Sequence, residues 1–520
     1  MTRPGTHTDG SAYPQLSGPL FEAVQRSSTF ADSKTFVDSV PTTAPETIRE
    51  RFAAAEDLDL GPFVAEHFDI PDRDPPTLET PTDTSMLAHI DDLWSFLDSP
   101  ADDGRAHSTL LPLPRPYVRP GNRFREIYYW DTYFTAVGLA ADGQTQRVRD
   151  MADNFAALVD RYGFVPNGNR CYYLGRSQPP VFCQYVKLLV EAEGTDAGLE
   201  YLPQLRREHE YWLSGTDALG PETPAHRRVV RLDDGVVANR YWDDHAGPRP
   251  ESYREDVELA ERVAPDRRES LSRDVRAAAE SGWDFSSRWQ ADPGEMTSLR
   301  TTDLVPVDLN ALLYDLEATL ADWCRRTGDV AAADRYECLA GRRHHVLAEY
   351  CWDETAGFFL DYDFAAGERT DRRTLAAVVP LFVEVATDEQ AAAVAATLRE
   401  EFLQSGGLVT TLTETHQQWD WPQGWAPLQY MAVVGLCQYG YDDLAREIAD
   451  RWLDLNRRVY WESGAMLEKY DVVAGRAAAD VGEYDVQVGF GWTNGVALAL
   501  SRTFEGSDET PLPGRARATN

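Results

Sequence analysis

Along most of this chain, long segments with the periodicity of amphipathic helices alternate with loops that are rich in Trp, Tyr, Pro, Gly and Asn. Residues 145–163 illustrate the helical segments, because apolar residues recur there every three or four positions and the segment ends at Gly163, a typical helix stop. Residues 164–182 illustrate the loops, because their Pro, Gly and Asn content is too high for a helix. Such a chain is restricted to a fold in which long ordered loops connect helices.

The same alternation continues to the end of the chain. Further helices are predicted within 183–215, 246–263, 307–328, 329–351, 388–407, 417–440, 442–464 and 465–506. Two short β-hairpins are predicted, one in 227–243 with its turn at Asp233-Asp234-Gly235 and one in 358–370. No repeated strand–helix–strand pattern occurs, which argues against a parallel α/β barrel. We therefore predict an all-α toroid whose long loops and short β-hairpins gather at one mouth.

The length of the chain allows either several ordinary domains or one large toroid, since it has 520 residues of which 43% are hydrophobic. Residues 1–15 are polar and contain Gly and Pro, so we expect a flexible tail. We expect one domain in 16–505, with 16–98 as its N-terminal extension of short helices and Pro-rich turns, and a polar tail in 506–520.

The charge balance is strongly acidic. Asp and Glu number 86 against 50 Lys and Arg, which gives a formal net charge of −36, and the only lysines are Lys34, Lys187 and Lys469. Because nucleic acids and anionic membranes bind through basic residues, we expect neither as a partner. The composition resembles that of proteins adapted to molar salt, where the Debye length of about 3 Å screens self-repulsion. We therefore predict that stability is lost in dilute buffer.

The cysteine content and the N-terminal sequence indicate in which cellular compartment the protein is expected. Six cysteines occur, without a CxxC pair or histidines at zinc-ligand spacing, so we expect reduced, buried thiols and no metal. The N-terminal stretch lacks an apolar core of the kind that signal peptides have, and no run of 18 apolar residues is present. From these observations we predict a cytoplasmic protein without a membrane span.

One acidic residue stands out from the loops. In the segment ESGWDFSSRW (280–289), Asp284 lies between Trp283 and Phe285 and shortly after Gly282. Apolar walls raise the pKa of a carboxyl group and keep its proton near neutral pH, which is what a general acid requires. The alternative interpretation is a helix N-terminus with Asp284 in the first turn and Trp283 in a core.

Charged and aromatic residues are mixed in three other loops. Arg123, Trp130 and Asp131 follow a turn within 115–143, and donors such as Arg176 lie within 164–182. A further loop carries Arg249 and Glu251. Arginine and carboxylate groups beside aromatic rings are suited to bind sugar hydroxyls, and flat rings contact the apolar faces of pyranose rings. The alternative is a set of surface ion pairs and core aromatics.

Five segments together resemble one known family. They are GPLFEAVQ with DSKTFVDSVP (18–41), PGNRFREIYYWDTYF (120–134), GFVPNGNRCYYLGRSQPP (163–180), QWDWPQGWAP (418–427) and GFGWTNGV (489–496). The chain resembles the trehalases of glycoside hydrolase family 37 over about residues 16–502. The resemblance implies an (α/α)6 toroid and an enzyme that hydrolyses α,α-trehalose to two glucose molecules, with inversion and without a cofactor or a metal.

The resemblance also implies roles for individual residues. It makes Asp284 the general acid and Glu468 the general base. The substrate contacts that it implies are Arg123, Trp130, Asp131, Asn167, Arg176, Ser177, Gln178, Arg249, Pro250, Glu251, Gly282 and Glu483. Judged from its local sequence alone, Glu468 beside Lys469 has the alternative interpretation of a solvated surface acid.

An inverting mechanism requires a particular distance between the two carboxyl groups. They should stand about 6.5–9.5 Å apart to admit a water molecule, and nearby arginines should keep the general base ionised. Two departures from the family pattern occur: Asn122 replaces a glycine, and the lid VVAGRAAADVG (472–482) has only one internal glycine, which puts its flexibility in question.

Other functions remain open at this point. They are an inverting α-glucosidase for another disaccharide on the same fold, and a catalytically silent trehalose-binding protein. For the enzyme we expect trehalose as its small-molecule partner and a monomeric state.

Overall fold

A computed structural model of the chain describes residues 13–72, 78, 81, 83–121, 123–478 and 486–504. Within these ranges the regular structure is dominated by nineteen α-helices, and every strand has only two or three residues. The all-α prediction is therefore confirmed. Several predicted features lie outside the described residues: Asn122, Glu483, the part of the lid from 479 onward, the tail at 506–520 and most of the tail at 1–15.

The first five helices comprise four that precede the toroid and a fifth that belongs to its outer layer. They are α1 (Pro19–Arg26), α2 (Lys34–Asp38), α3 (Pro45–Ala54), α4 (Leu60–His67) and α5 (Met86–Leu97). The remaining helices follow in chain order as α6 (Tyr129–Ala141), α7 (Thr145–Tyr162), α8 (Phe182–Glu193), α9 (Thr195–Leu199), α10 (Leu202–Trp212), α11 (Tyr253–Glu261), α12 (Arg268–Glu280), α13 (Val307–Arg326), α14 (Val330–Val346), α15 (Val379–Phe382), α16 (Asp388–Thr397), α17 (Ala426–Gln438), α18 (Asp442–Ser463) and α19 (Gly491–Phe504).

The helices are arranged in two concentric layers. The inner layer consists of α6, α8, α13, α15, α17 and α19, which pack against one another in this order, and α19 closes the ring on α6. Helices α5, α7, α10, α14, α16 and α18 form the outer layer of this (α/α)6 toroid.

Hydrophobic patterning explains which helices lie inside. In the inner helix α6 every residue from Tyr129 to Leu139 is buried, and in α19 every residue from Gly491 to Ser501 is buried. The outer helices α7 and α18 bury one face only. A helix that is apolar all round belongs in the interior, and an amphipathic helix covers it.

Glycines end two outer helices as the sequence predicts. Gly163 follows α7 with φ 89° and Gly464 follows α18 with φ 75°. Both adopt the left-handed conformation that glycine reaches without a Cβ clash, and the N–H of each donates to the last turn. The chain can thereby turn sharply from the outer layer back to the inner one.

Short antiparallel sheets connect the helices. The two-stranded sheets are β1 (Val40–Pro41) with β2 (Phe68–Asp69), β3 (Asp98–Ser99) with β4 (Tyr117–Val118), β9 (Trp352–Asp353) with β10 (Phe358–Phe359) and β13 (Leu403–Gln404) with β14 (Gly407–Leu408). The three-stranded sheets are β5 (Ala225–His226), β6 (Val229–Arg231) and β7 (Val237–Asn239); β8 (Leu304–Val305), β11 (Tyr362–Asp363) and β12 (Glu368–Arg369); and β15 (Gln423–Trp425), β16 (Lys469–Asp471) and β17 (Arg476–Ala477).

Both predicted hairpins are present, and one predicted helix is shorter than expected. The hairpin in 227–243 is confirmed as β6 and β7, with Gly235 at its turn, and the one in 358–370 is confirmed as β11 and β12. The helix predicted over 388–407 is too long, because α16 ends at Thr397 and a π-turn at Leu398–Phe402 leads into the β13–β14 hairpin.

Candidate active site

A cavity at the mouth of the toroid brings the predicted residues together. Its empty volume, including the part that is open to solvent, is about 770 Å³. The predicted residues that line it are Arg123, Trp130, Asp131, Asn167, Arg176, Gln178, Arg249, Glu251, Gly282, Asp284 and Glu468. Residues from five separate parts of the chain thus face one space.

Asp284 enters the cavity from the C-terminal end of α12. This helix ends at Glu280, and Gly282 then turns the chain with φ 77°. A Cβ atom at Gly282 would lie 2.7 Å from Cε2 of Trp130, so only glycine fits this close approach. The interpretation of Asp284 as part of a helix N-terminus is therefore wrong, although Trp283 is buried as that interpretation required.

Glu468 lies immediately before β16, and its side chain is 1% exposed. Its backbone N–H donates to the Gln487 carbonyl over 2.9 Å, and its own carbonyl accepts from the Trp492 indole over 2.9 Å. Lys469, the next residue, begins β16 and pairs with Trp425 of β15. The interpretation of Glu468 as a solvated surface acid is therefore wrong.

A third carboxyl group belongs to the same space. Asp131 lies in the first turn of α6 and is buried. Burial raises its pKa well above the ordinary range, and the charges of Glu468 and Asp284 raise it further. Asp131 therefore keeps its proton more readily than an exposed aspartate does, because two other carboxyl groups stand close enough to repel its charge.

The arginines of the cavity are held by acidic partners. Arg176 donates to Asn167 over 2.7 Å and to Glu251 over 2.7 Å, and its guanidinium lies 5.0 Å from the ring centre of Tyr173. Burial alone would raise the pKa of Glu251, but Arg176 and other arginines outweigh this effect and lower it. Glu251 is therefore ionised at neutral pH, and Arg176 is fixed in one orientation.

Arg249 is also held by an acidic partner. It is buried and forms a two-pronged pair with Asp256, with Nη2–Oδ1 at 2.7 Å and Nε–Oδ2 at 3.0 Å. Its guanidinium lies 5.2 Å from the ring centre of Phe285. Such a pair fixes the guanidinium plane beside the residue that follows Asp284.

Stacked tryptophans form one wall of the cavity. Trp419 is parallel to Trp425 at 4.0 Å and to Trp283 at 5.5 Å between ring centres. Trp492 meets Trp425 edge-on at 5.6 Å, and Trp130 meets Trp492 edge-on at 6.1 Å. Flat rings of this kind bind the apolar faces of sugars.

The N-terminal extension supplies another part of the wall. Lys34 of α2 lines the cavity and is buried against Asp38 at 2.7 Å and Glu126 at 2.6 Å. Arg170 forms ion pairs with the same two acids. The extension is thus tied to the toroid through a buried network of two cations and two anions.

Two of the predicted contacts, Ser177 and Pro250, are not among the residues that line the cavity. The hydroxyl of Ser177 donates to the Val165 carbonyl and its N–H donates to Glu280, so its polar groups serve the loop itself. Pro250 opens a 3-10 turn, and its carbonyl accepts from Gln25. Glu483 lies outside the described residues.

Sequence reasoning missed several cavity residues. They are Lys34, Phe124, Tyr128, Tyr173, Ser252, Ala279, Trp419, Trp425, Phe490 and Trp492. Most are aromatic and lie inside the segments that carry the family resemblance, which is a signal that could have found them. For Lys34 the available signal was its rarity, because it is one of only three lysines in the chain.

Neither a metal site nor a membrane-spanning helix is found among the described residues. There, no three His, Cys, Asp or Glu side chains are grouped as metal ligands, and no helix combines the length and apolarity of a membrane span. All six cysteines are free: Cys171, Cys183, Cys324 and Cys351 are buried as predicted, whereas Cys437 is half-buried and Cys338 is exposed.

A ring of paired helices with carboxyl groups in an aromatic-lined cavity at its mouth defines an (α/α)6 glycoside hydrolase. Two solved structures share the fold. The neutral trehalase Nth1 of Saccharomyces cerevisiae has a TM-score of 0.60 and 28% identity, covering 75% of this chain and 74% of its own. The GH63 mannosylglycerate hydrolase of Thermus thermophilus has a TM-score of 0.53 and 20% identity, covering 80% of this chain and 100% of its own.

The chain belongs to the trehalase family, whose model matches residues 28–504. The periplasmic trehalase of Salmonella paratyphi B is 45% identical over 501 residues, which cover 96% of this chain and 88% of the relative. The resemblance inferred from the sequence segments is thereby confirmed.

The predicted cytoplasmic location is wrong, because Salmonella relatives that are 45% identical over 96% of the chain are named periplasmic trehalases. The prediction rested on a polar N-terminal stretch and on unpaired cysteines. Neither feature is specific to one compartment, since a large core needs no disulfide framework in order to fold.

Proposed function

We propose that this protein is an inverting hydrolase that cleaves α,α-trehalose with water into one α-glucose and one β-glucose. The proposal makes Asp284 the general acid and Glu468 the general base. The observation that carries it is that both side chains line a single aromatic cavity. Membership of the trehalase family and the 45% identity to a periplasmic trehalase support the same substrate.

In the proposed reaction one proton, one water molecule and one glycosidic bond are involved. Asp284 gives its proton to the oxygen that joins the two sugars, and the bond from this oxygen to the attacked anomeric carbon breaks. A water molecule attacks that carbon from the opposite face and gives a proton to Glu468. The attacked ring leaves as β-glucose, and the departing sugar keeps its α configuration. Proton exchange with solvent then restores both carboxyl groups.

The other cavity residues have proposed roles in binding. Arg123, Arg176 and Arg249 would donate to sugar hydroxyls, and Glu251 would accept from them. Asp131, whose pKa is raised by burial and by the nearby Glu468 and Asp284, would contribute a further hydrogen bond to the sugar. The further contacts proposed are Trp130, Asn167, Ser177, Gln178, Pro250, Gly282 and Glu483. Tryptophan rings would exclude bulk water from the cavity and leave room for the one attacking water molecule.

A proton NMR time course on trehalose tests the reaction and its stereochemistry together. Equal initial amounts of α- and β-glucose are the expected result, and two α-glucose products would contradict inversion. Maltose and kojibiose are run in parallel, and faster cleavage of either would favour an α-glucosidase for that sugar. The variants Asp284→Asn and Glu468→Gln should each lose at least about 1,000-fold in kcat while still binding trehalose.

We also propose that residues 16–505 form one catalytic domain and that the enzyme acts as a monomer. Limited proteolysis should leave a fragment close to these bounds with full activity. Sedimentation equilibrium should give the mass of one chain, which is 58.3 kDa. An active fragment that lacks residues 16–98 would contradict the proposed role of the N-terminal extension.

A further inference from the structure

The buried side chain of Gln418 lies between the segments that carry the two proposed catalytic carboxyl groups. It is 1% exposed. Its Nε2 donates to the backbone carbonyl of Asp284, and its Oε1 accepts from Nζ of Lys469 over 2.7 Å. One amide group therefore connects the backbone of Asp284 to the residue that directly follows Glu468.

Trp425 holds both Gln418 and the Lys469 end of this connection. Lys469 Nζ lies 5.4 Å from the ring centre of Trp425, and the backbone of Lys469 pairs with that of Trp425 between β15 and β16. The backbone carbonyl of Gln418 accepts from the Trp425 indole over 3.0 Å. Gln418 and β16 are therefore both anchored to Trp425, and the Gln418 amide joins the Asp284 backbone to this anchored unit.

We propose that Gln418 is a positioning residue that fixes the separation of the Asp284 and Glu468 carboxyl groups. This role rests on the proposed function, since inversion requires a separation that admits one water molecule between acid and base. Gln418 acts through its neighbours, because its amide oxygen and nitrogen are both engaged in the connection. An error of about 1 Å in such a geometry costs about 100-fold in rate.

Removal of the amide tests this role. The variant Gln418→Ala should lose about 30- to 100-fold in kcat with a KM for trehalose within about 3-fold of the wild type. The isosteric Gln418→Glu keeps a partner for Lys469 but cannot donate to the Asp284 carbonyl, so it should lose kcat as well. Gln418→Asn, which retains the amide on a shorter stem, should recover part of the loss.

Lys469 provides the second arm of the experiment. Lys469→Met removes the other end of the connection and should lower kcat without a matching change in KM. If both residues act through one connection, the double variant should be no slower than the slower single variant. Multiplication of the two losses would show that they act separately and would contradict the proposal.

Gln429 is the matched control. It is also a fully buried glutamine whose amide makes two hydrogen bonds of 2.8 Å, but both go to the backbone of Leu408. Gln429→Ala should lose thermal stability to a similar extent and keep kcat within about 3-fold. Equal kcat losses in Gln418→Ala and Gln429→Ala would show a merely structural role and overturn the proposal.

The assay separates this proposal from the proposed function. A wild-type enzyme that releases no glucose from trehalose contradicts both. An active wild type together with a Gln418→Ala variant of normal kcat contradicts the positioning role alone. Loss of kcat with an unchanged KM, confined to the Gln418 and Lys469 variants, supports it.

Discussion

Asp32 of the N-terminal extension forms an ion pair with Arg123 at the cavity, with Oδ2 and Nη1 3.1 Å apart. Burial alone would raise the pKa of Asp32, but Arg123 and the N–H and hydroxyl of Thr35 outweigh this and lower it. Asp32 is therefore ionised at neutral pH, and it orients a guanidinium group that lines the cavity. The extension thus contacts a residue that lines the cavity.

Asp32→Ala should raise the KM for trehalose about 10-fold, equivalent to about 1.4 kcal/mol of binding free energy, with kcat changed less than about 3-fold. The reason is that Arg123 loses its fixed orientation. Steady-state kinetics measures both constants. Asp69→Ala is the control, because Asp69 pairs with Arg105 at an exposed position, where ion pairs contribute little. A normal KM for Asp32→Ala would contradict the prediction.

Asp243 should control part of the acid stability. It is buried against Arg276 at 2.9 Å and Arg176 at 3.3 Å. Burial would raise its pKa, but these arginines outweigh it and lower the pKa to about 2. Since the folded pKa lies below the unfolded value, the stabilisation is complete above about pH 4 and is lost as pH falls towards 2.

Asp243→Asn should therefore reduce the free energy of unfolding by about 2 kcal/mol at pH 7, and the deficit should shrink as pH falls below 4. Urea denaturation at a series of pH values measures this. The same deficit at every pH would show that the carboxyl charge is not the cause.

Much of the toroid follows from sequence periodicity, and the exceptions have physical causes. Helices such as α7 and α18 were predicted because apolar stripes and terminal glycines mark their bounds. Helix α12 was not predicted, because it buries charged residues such as Asp274, Arg276 and Glu280 at positions where sequence patterning expects apolar ones. The β13–β14 hairpin depends on Gln429, which is distant in the chain and binds the Leu408 backbone.

The candidate site was predictable only in part for a similar reason. Family resemblance points to Asp284 and Glu468, but local sequence alone leaves both open to other interpretations. Lys34 and Asp32 were missed because their roles depend on Glu126 and Arg123, which lie about 90 residues away in the chain. Long-range ion pairs of this kind leave no periodic signal in a single sequence.

Asp131→Asn should stabilise the protein while it impairs the enzyme. Burial and the charges of Glu468 and Asp284 raise the pKa of Asp131 in the folded protein. Above the unfolded-state pKa of about 4, the unfolded chain releases this proton more readily than the folded protein does, so the free energy of unfolding falls as pH rises. An amide avoids this cost. The melting temperature of the variant should exceed that of the wild type by about 1–3 °C at pH 8 and by less at pH 5. Activity should fall at least about 10-fold. An equal difference in melting temperature between variant and wild type at pH 5 and pH 8 would contradict the explanation.

Salt should stabilise the protein strongly. The formal net charge of −36 repels itself in dilute buffer, and molar salt shortens the Debye length to about 3 Å. The melting temperature in molar KCl should therefore exceed that in dilute buffer by about 10 °C or more. NaCl should raise the melting temperature by a similar amount, whereas sorbitol at equal osmolality should raise it less. Equal melting temperatures in dilute buffer and KCl would contradict salt adaptation.

Gly282 should tolerate no side chain. Its φ of 77° strains any L-residue, and an added Cβ would lie 2.7 Å from Cε2 of Trp130. Gly282→Ala should therefore displace Asp284 or Trp130, reduce kcat at least about 100-fold and lower the free energy of unfolding by about 1–3 kcal/mol.

Gly341 gives the matched control for this substitution. It lies within α14, and an added Cβ meets no atom within 4 Å. Gly341→Ala should raise stability by about 0.5–1 kcal/mol, because alanine favours a helix interior over glycine, and should leave kcat unchanged. Kinetics and urea denaturation of both variants measure the contrast. If Gly282→Ala were as active as Gly341→Ala, the loop between α12 and Asp284 would have room to move, and the position of the acid would not depend on the contact between Gly282 and Trp130.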